Sequence, residues 1–129
     1  MAFLFDRNLV HDLLNQIIDN LKIVAKRTEN IHSPDEFTGT ESGMILLDSI
    51  CMKLVAIGES IKSLDKISDK QLLVHYPQIQ WKQAMGMRDI IVHHYFDVDA
   101  EQIFMTLKED LPLLIEVLAL IETDVEKMN

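Results

Sequence analysis

Apolar residues recur along this chain at helical spacing. Leu9, Val10, Leu13, Leu14, Ile17, Ile18, Leu21, Val24 and Ala25 follow an i, i+3, i+4 rhythm and predict a first helix from about Asp6 to Asn30. Ser33-Pro34-Asp35-Glu36 combines an N-cap, a first-turn proline and a capping-box glutamate, predicting a short helix that stops near Gly39. Met44, Leu47, Ile50, Cys51, Leu54, Val55, Ile57 and Ile61 mark a long second helix from about Thr40 to Ser63. The pattern breaks from Leu64 to Pro77, where Ser68 to Val74 predicts a short helical turn ended by His75-Tyr76-Pro77. A further periodic run opens at Trp81 and continues through Ala84, Met85, Met87, Arg88, Ile91 and Val92, and Phe96-Asp97-Val98-Asp99 leaves it. Asp99, with Gln102 three residues on, predicts the cap of a last helix carrying Ile103, Phe104, Leu107, Leu111, Leu114, Ile115, Leu118 and Ile121. Pro112 lies inside that run and predicts a kink or break near Asp110. With no alternating strand pattern and no internal repeat, the expected fold is an all-α, up-down bundle of four to five helices, one domain over residues 1–129.

Composition narrows the class. Hydrophobic content of 48% with 26% charged residues fits a soluble globular protein, and 129 residues suffice to bury a core. The seven Met are expected as core filler. Cys51 is the single cysteine, so no disulfide framework forms within the chain and a reducing cytoplasm is expected. No signal peptide is expected, because Phe3, Leu4 and Phe5 are followed at once by Asp6 and Arg7. No apolar run approaches the roughly 20 residues of a membrane span, so no membrane partner is expected. The net charge of −9 argues against a non-specific nucleic-acid coat protein but leaves room for a small basic cleft.

The chemistry gathers in Met87-Arg88-Asp89-Ile90-Ile91-Val92-His93-His94-Tyr95. Arginine offers a fixed charge suited to phosphate, and histidine moves a proton near neutral pH. On a continuous helix Arg88 and Tyr95 would share one face, and Asp89 and His93 another. Arg88 and His93 would stand about 140° apart and about 7.5 Å along the axis. They converge only if the helix end unwinds near His94 or if two such helices face each other, which implies a dimer with a composite cleft. The plainer reading is that His93 and His94 cap a helix C-terminus while Arg88 and Asp89 are solvated.

The remaining candidates are weaker. His11 with Asp12 and His75 with Tyr76 are isolated pairs, read as surface or packing groups. His93 and His94 are adjacent rather than four apart, and no HExxH, CxxC or EF-hand spacing occurs, so no metal and no cofactor is expected. Gly39, Gly43, Gly58 and Gly86 are scattered and form no phosphate loop. Cys51 has no neighbour that would activate its thiol.

The spacing Arg88, four residues, His93, one residue, Tyr95 resembles the signature of the HEPN superfamily in its HepT-like form, the toxins of MNT/HEPN toxin–antitoxin modules. Ile57-Gly58-Glu59-Ser60-Ile61-Lys62, Tyr76 to Trp81, Met85 to Asp89, Tyr95 to Asp99 and Asp110-Leu111-Pro112 resemble further segments of that family in the same order. The resemblance implies a helical bundle that dimerises through the motif helix. It implies a metal-independent endoribonuclease in which Arg88 and His93 are catalytic and Asp89 is an orienting carboxylate. It also implies an MNT-type nucleotidyltransferase antitoxin that transfers AMP to Tyr95. His94 fills a variable position and takes no role. The alternative is a non-catalytic subunit that binds substrate or nucleotide for a separate nucleotidyltransferase. With the resemblance included, functional use of Arg88 and His93 outweighs the capping reading.

Overall fold

The computed structural model describes residues 5–94 and 97–128, with the backbone alone described at His93 and His94. Helix α1, Arg7–Arg27, starts where the Asp6 carboxylate accepts the N–H groups of Asn8 and Leu9 at 3.0 and 3.1 Å. This satisfies donors that have no partner within the helix. It ends at Thr28, whose buried hydroxyl donates to the Val24 carbonyl at 2.8 Å. Helix α2, Asp35–Thr38, forms where predicted, but its cap is corrected: Pro34 takes the N-cap position with no side-chain cap bond, and the Glu36 carboxylate accepts the His32 N–H at 3.0 Å, not that of Ser33. Fully buried Phe37 anchors this single turn.

Helix α3, Glu41–Ile67, is the longest element, opened by the Thr40 hydroxyl accepting from the Gly43 N–H at 3.0 Å. It runs four residues past the predicted end at Ser63. Leu64 does not break the pattern but closes the buried stripe of Ile57 and Ile61. The chain reverses only at Asp69 and Lys70, with φ of 54° and 57° in the left-handed region. A single 3₁₀ turn, Leu73–His75, replaces the helical turn expected over Ser68 to Val74.

The final third is more broken than predicted. Helices α4, Trp81–Met85, and α5, Met87–Ile91, are followed by strands β1, Val92–His94, and β2, Asp97–Val98. This short antiparallel pair is set within the all-α fold that the sequence predicts. Helix α6, Ala100–Met105, begins with Asp99 Oδ1 accepting the Gln102 N–H at 2.9 Å, the predicted cap. A π turn at Thr106–Asp110 then leads into α7, Leu111–Glu126. Pro112 has no N–H to donate one turn back, and the Leu111 N–H instead reaches the Thr106 carbonyl five residues away. The break expected near Asp110 therefore takes the form of a widened turn.

The whole is an all-α, up-down bundle. Helix α1 packs against both α3 and α7, while α4 and α5 lie across α3. Leu14 and Leu21 of α1, Leu54 and Ile61 of α3, and Leu118 and Ile121 of α7 are fully buried in one continuous core. Each such side chain contributes about 1.5–3 kcal/mol on burial. The methionines depart from expectation. Met87 is buried, but Met44 and Met52 are 51% and 76% exposed, on the outer stripe of α3 beside Ile45. No helix of the described residues is long and apolar enough to cross a membrane.

Candidate active site

Arg88 and Asp89 are exposed on α5, whose other side is anchored by Met87 and Ile91, 5% and 0% exposed. The height of α5 over the core is set by Gly58. A Cβ there would lie 2.9 Å from the Ala84 carbonyl oxygen and 3.3 Å from both the Met85 oxygen and Met87 Cβ. The missing side chain lets the α4–α5 junction settle directly on α3. Among the described residues Arg88 makes no ion pair.

The segment does not continue as the helix predicted through Tyr95. It leaves the α conformation at Val92, with φ −121° and ψ 111°. Ile90-Ile91-Val92 is a β-branched run, poorly suited to helix and well suited to strand. The Ile91 carbonyl, otherwise an unsatisfied helix end, accepts the Asp99 N–H at 2.8 Å. In the hairpin Val92 pairs with Val98 and His94 with Asp97, so β1 carries one extra residue, a bulge at His93. Three geometric expectations are thereby corrected. His93 stands beyond the helix, so the 140° separation from Arg88 does not apply. Asp89 and His93 have no helical i, i+4 relation. Arg88 and Tyr95 are not on one continuous helix, and Tyr95 lies outside the described residues. The unwinding considered near His94 occurs earlier, at Val92.

Two contacts that sequence reasoning did not assign hold this segment. The Trp81 indole N–H donates to the Tyr76 carbonyl at 2.8 Å, and the Tyr76 hydroxyl donates to Asp124 Oδ2 at 2.7 Å. They tie the loop before α4 to α7. Burial, reinforced by the bond to Asp124, raises the Tyr76 phenol far above its ordinary value. The Tyr76-to-Trp81 spacing was visible as a family feature, but its bonding was not. Elsewhere, His11 Nε2 lies 2.9 Å from Glu126 Oε1, joining α1 to α7 as a packing group. Burial, with Asp48 nearby, pushes the Cys51 thiol up, the opposite of an activated thiolate. Among the described residues no three His, Cys, Asp or Glu side chains are grouped to hold a metal ion.

A family model described as "Ribonuclease HepT-like" matches residues 17–121. The chain belongs to the HepT-like ribonuclease family, a class of enzymes that act on RNA. Over 126 residues it is 36% identical to a Methanocaldococcus jannaschii protein named "Putative RNase", covering 97% of this chain and 88% of that one. It is 29% identical over 103 residues to the "Probable ribonuclease HepT" of Thermococcus cleftensis, covering 80% and 86% of the two chains. It is also 30% identical over 114 residues to an M. jannaschii "Gamma-glutamylcyclotransferase and putative RNase". That alignment covers 88% of this chain and 48% of the relative, so the chain spans about half of that longer protein. No solved structure matches the chain.

Proposed function

We propose that this chain is a cytoplasmic, single-domain endoribonuclease toxin of a type VII MNT/HEPN toxin–antitoxin system. It would cut RNA without a metal, at a cleft completed by a second copy of the chain. The observation that carries this reading is the end of α5. Arg88 is exposed and without an ion pair among the described residues, and the chain turns extended after Ile91, with His93 two residues beyond the helix. The family match supports RNA as the substrate.

His93 of one copy takes the proton of the ribose 2′-hydroxyl, and the 2′-oxygen attacks phosphorus. The 5′-oxygen leaves with a proton from the imidazolium of the second His93. Arg88 holds the scissile phosphate and stabilises the charge of the phosphorane. The products are a 2′,3′-cyclic phosphate and a 5′-hydroxyl. Asp89, exposed beside Arg88 on α5, keeps its orienting role in this scheme. AMP transferred to Tyr95 by an MNT-type nucleotidyltransferase would add a phosphodiester anion to the motif and repel RNA.

The test is expression in a host without the transferase. The wild-type chain should arrest growth and degrade RNA, and His93→Ala should do neither. Equal growth with intact RNA in both cultures overturns the proposal. Tight binding of a nucleotidyltransferase without any cleavage would replace it by the binding-subunit reading.

A further inference from the structure

Beneath the motif helix, α4 and α5 face the π turn across a cleft with a cavity volume of about 250 Å³. Its polar lining includes four glutamines, Gln78, Gln80, Gln83 and Gln102. Ile79, Met87, Ile90 and Leu114 supply apolar walls, and Glu109 and Asp110 stand on the π turn. Among the described residues no lysine, arginine or histidine lines the cleft. A ligand for it therefore carries no phosphate of its own at that point. Apolar walls with amide groups suit a heteroaromatic ring that bonds along its edge.

We propose that this cleft is a base-recognition subsite for the RNA strand, taking an amino-bearing nucleobase, adenine foremost. The proposal rests on the ribonuclease reading above. Glutamine amides pair with the N6 and N7 edge of adenine, donating to one and accepting from the other. The Glu109 and Asp110 carboxylates accept from an exocyclic amino group and disfavour uracil, which presents a carbonyl there. Proteins read RNA sequence chiefly through unstacked bases held against side chains, and this cleft has the walls to hold one. Its position fits: Met87 and Ile90 line it, while Arg88 and Asp89 between them are exposed on the same short helix. A base seated below and a phosphate held above would belong to neighbouring groups of one strand. The π turn forms one wall and sets Glu109 and Asp110 on it.

Adenosine and uridine are titrated separately against the full chain by NMR. In parallel, cleavage is measured on oligonucleotides that differ only by A or U at each position flanking the cut. The wild type should bind adenosine in preference to uridine. It should cleave the A substrate about tenfold to a hundredfold faster at one flanking position, the range expected for one bidentate base contact. In Gln83→Ala and Gln102→Ala, with melting temperature unchanged, both preferences should fall towards one. Adenosine binding without any RNA cleavage would remove the ribonuclease reading and leave the base pocket standing. Cleavage without base preference, or adenosine binding untouched by either substitution, would overturn the pocket. A change of oligomeric state in Gln83→Ala would assign the cleft to a second copy and overturn it equally.

Discussion

Helix α3 and the α4–α5–β1 segment cross at Gly58 and are built in opposite ways. Helix α3 holds one conformation for 27 residues, and buried side chains recur along it from Leu47 to Leu64. The segment that carries Arg88 and His93 divides into two helices of five residues each and then a three-residue strand. Helices this short are not stable by themselves, since isolated helices below roughly 12 residues are marginal in water. Their placement is borrowed from α3 through the Gly58 crossing and from the core through Met87 and Ile91. The long helices supply stability and the short elements present chemistry. Substitutions should separate the two.

The largest separation is expected at Arg88. Arg88→Ala should lower RNA cleavage by about 10²–10³-fold, the scale of losing one charge-stabilising donor. Its melting temperature should stay at the wild-type value, because the side chain is exposed. Leu54→Ala should behave in reverse. Emptying this fully buried site should cost about 2–5 kcal/mol in denaturant unfolding, with cleavage retained wherever the chain is still folded.

Gly58→Ala joins the two regions. The added methyl meets a backbone carbonyl at 2.9 Å, so α4 and α5 must lift. A loss of about 1–3 kcal/mol is expected. Cleavage should fall further than stability alone explains, read as a drop in kcat at a temperature where the variant is folded. Unchanged kcat would show that α5 is not positioned from α3.

The smallest effect is expected at Tyr76→Phe, which removes the bond to Asp124 and should cost about 0.5–1.5 kcal/mol. Its pH dependence has a fixed sign. The phenol is raised in the folded state, so its contribution is complete below the unfolded value of about 10 and declines as pH climbs beyond it. The advantage of the wild type over Tyr76→Phe should therefore shrink above about pH 10 in unfolding experiments.

The long elements were legible because their periods are long. The Asp6 start and the Asp99 cap were each written in local side-chain chemistry, whereas the Ser33 cap was displaced to Pro34, whose side chain neither donates nor accepts. The motif residues were legible as a set, since Arg88, His93 and Tyr95 keep a fixed spacing whatever the backbone does. Their geometry was not. Apolar periodicity through Ile91 and Val92 reads equally as helix or strand over so few residues. What decides is the Asp99 N–H capturing the Ile91 carbonyl, a contact between residues that pattern reading treated as separate helices. The exposed Met44 and Met52 were misread for a related reason: periodicity finds an apolar face, but only packing says which part of it is covered.

The most direct test of the whole account uses purified chain, a chelator and a defined RNA. Wild-type protein should cleave with the chelator present and leave 2′,3′-cyclic phosphate ends, and His93→Ala should lose at least a hundredfold in rate, on the order expected for a lost proton-transfer group. Equal cleavage by the two proteins, or cleavage that stops with the chelator, would contradict it.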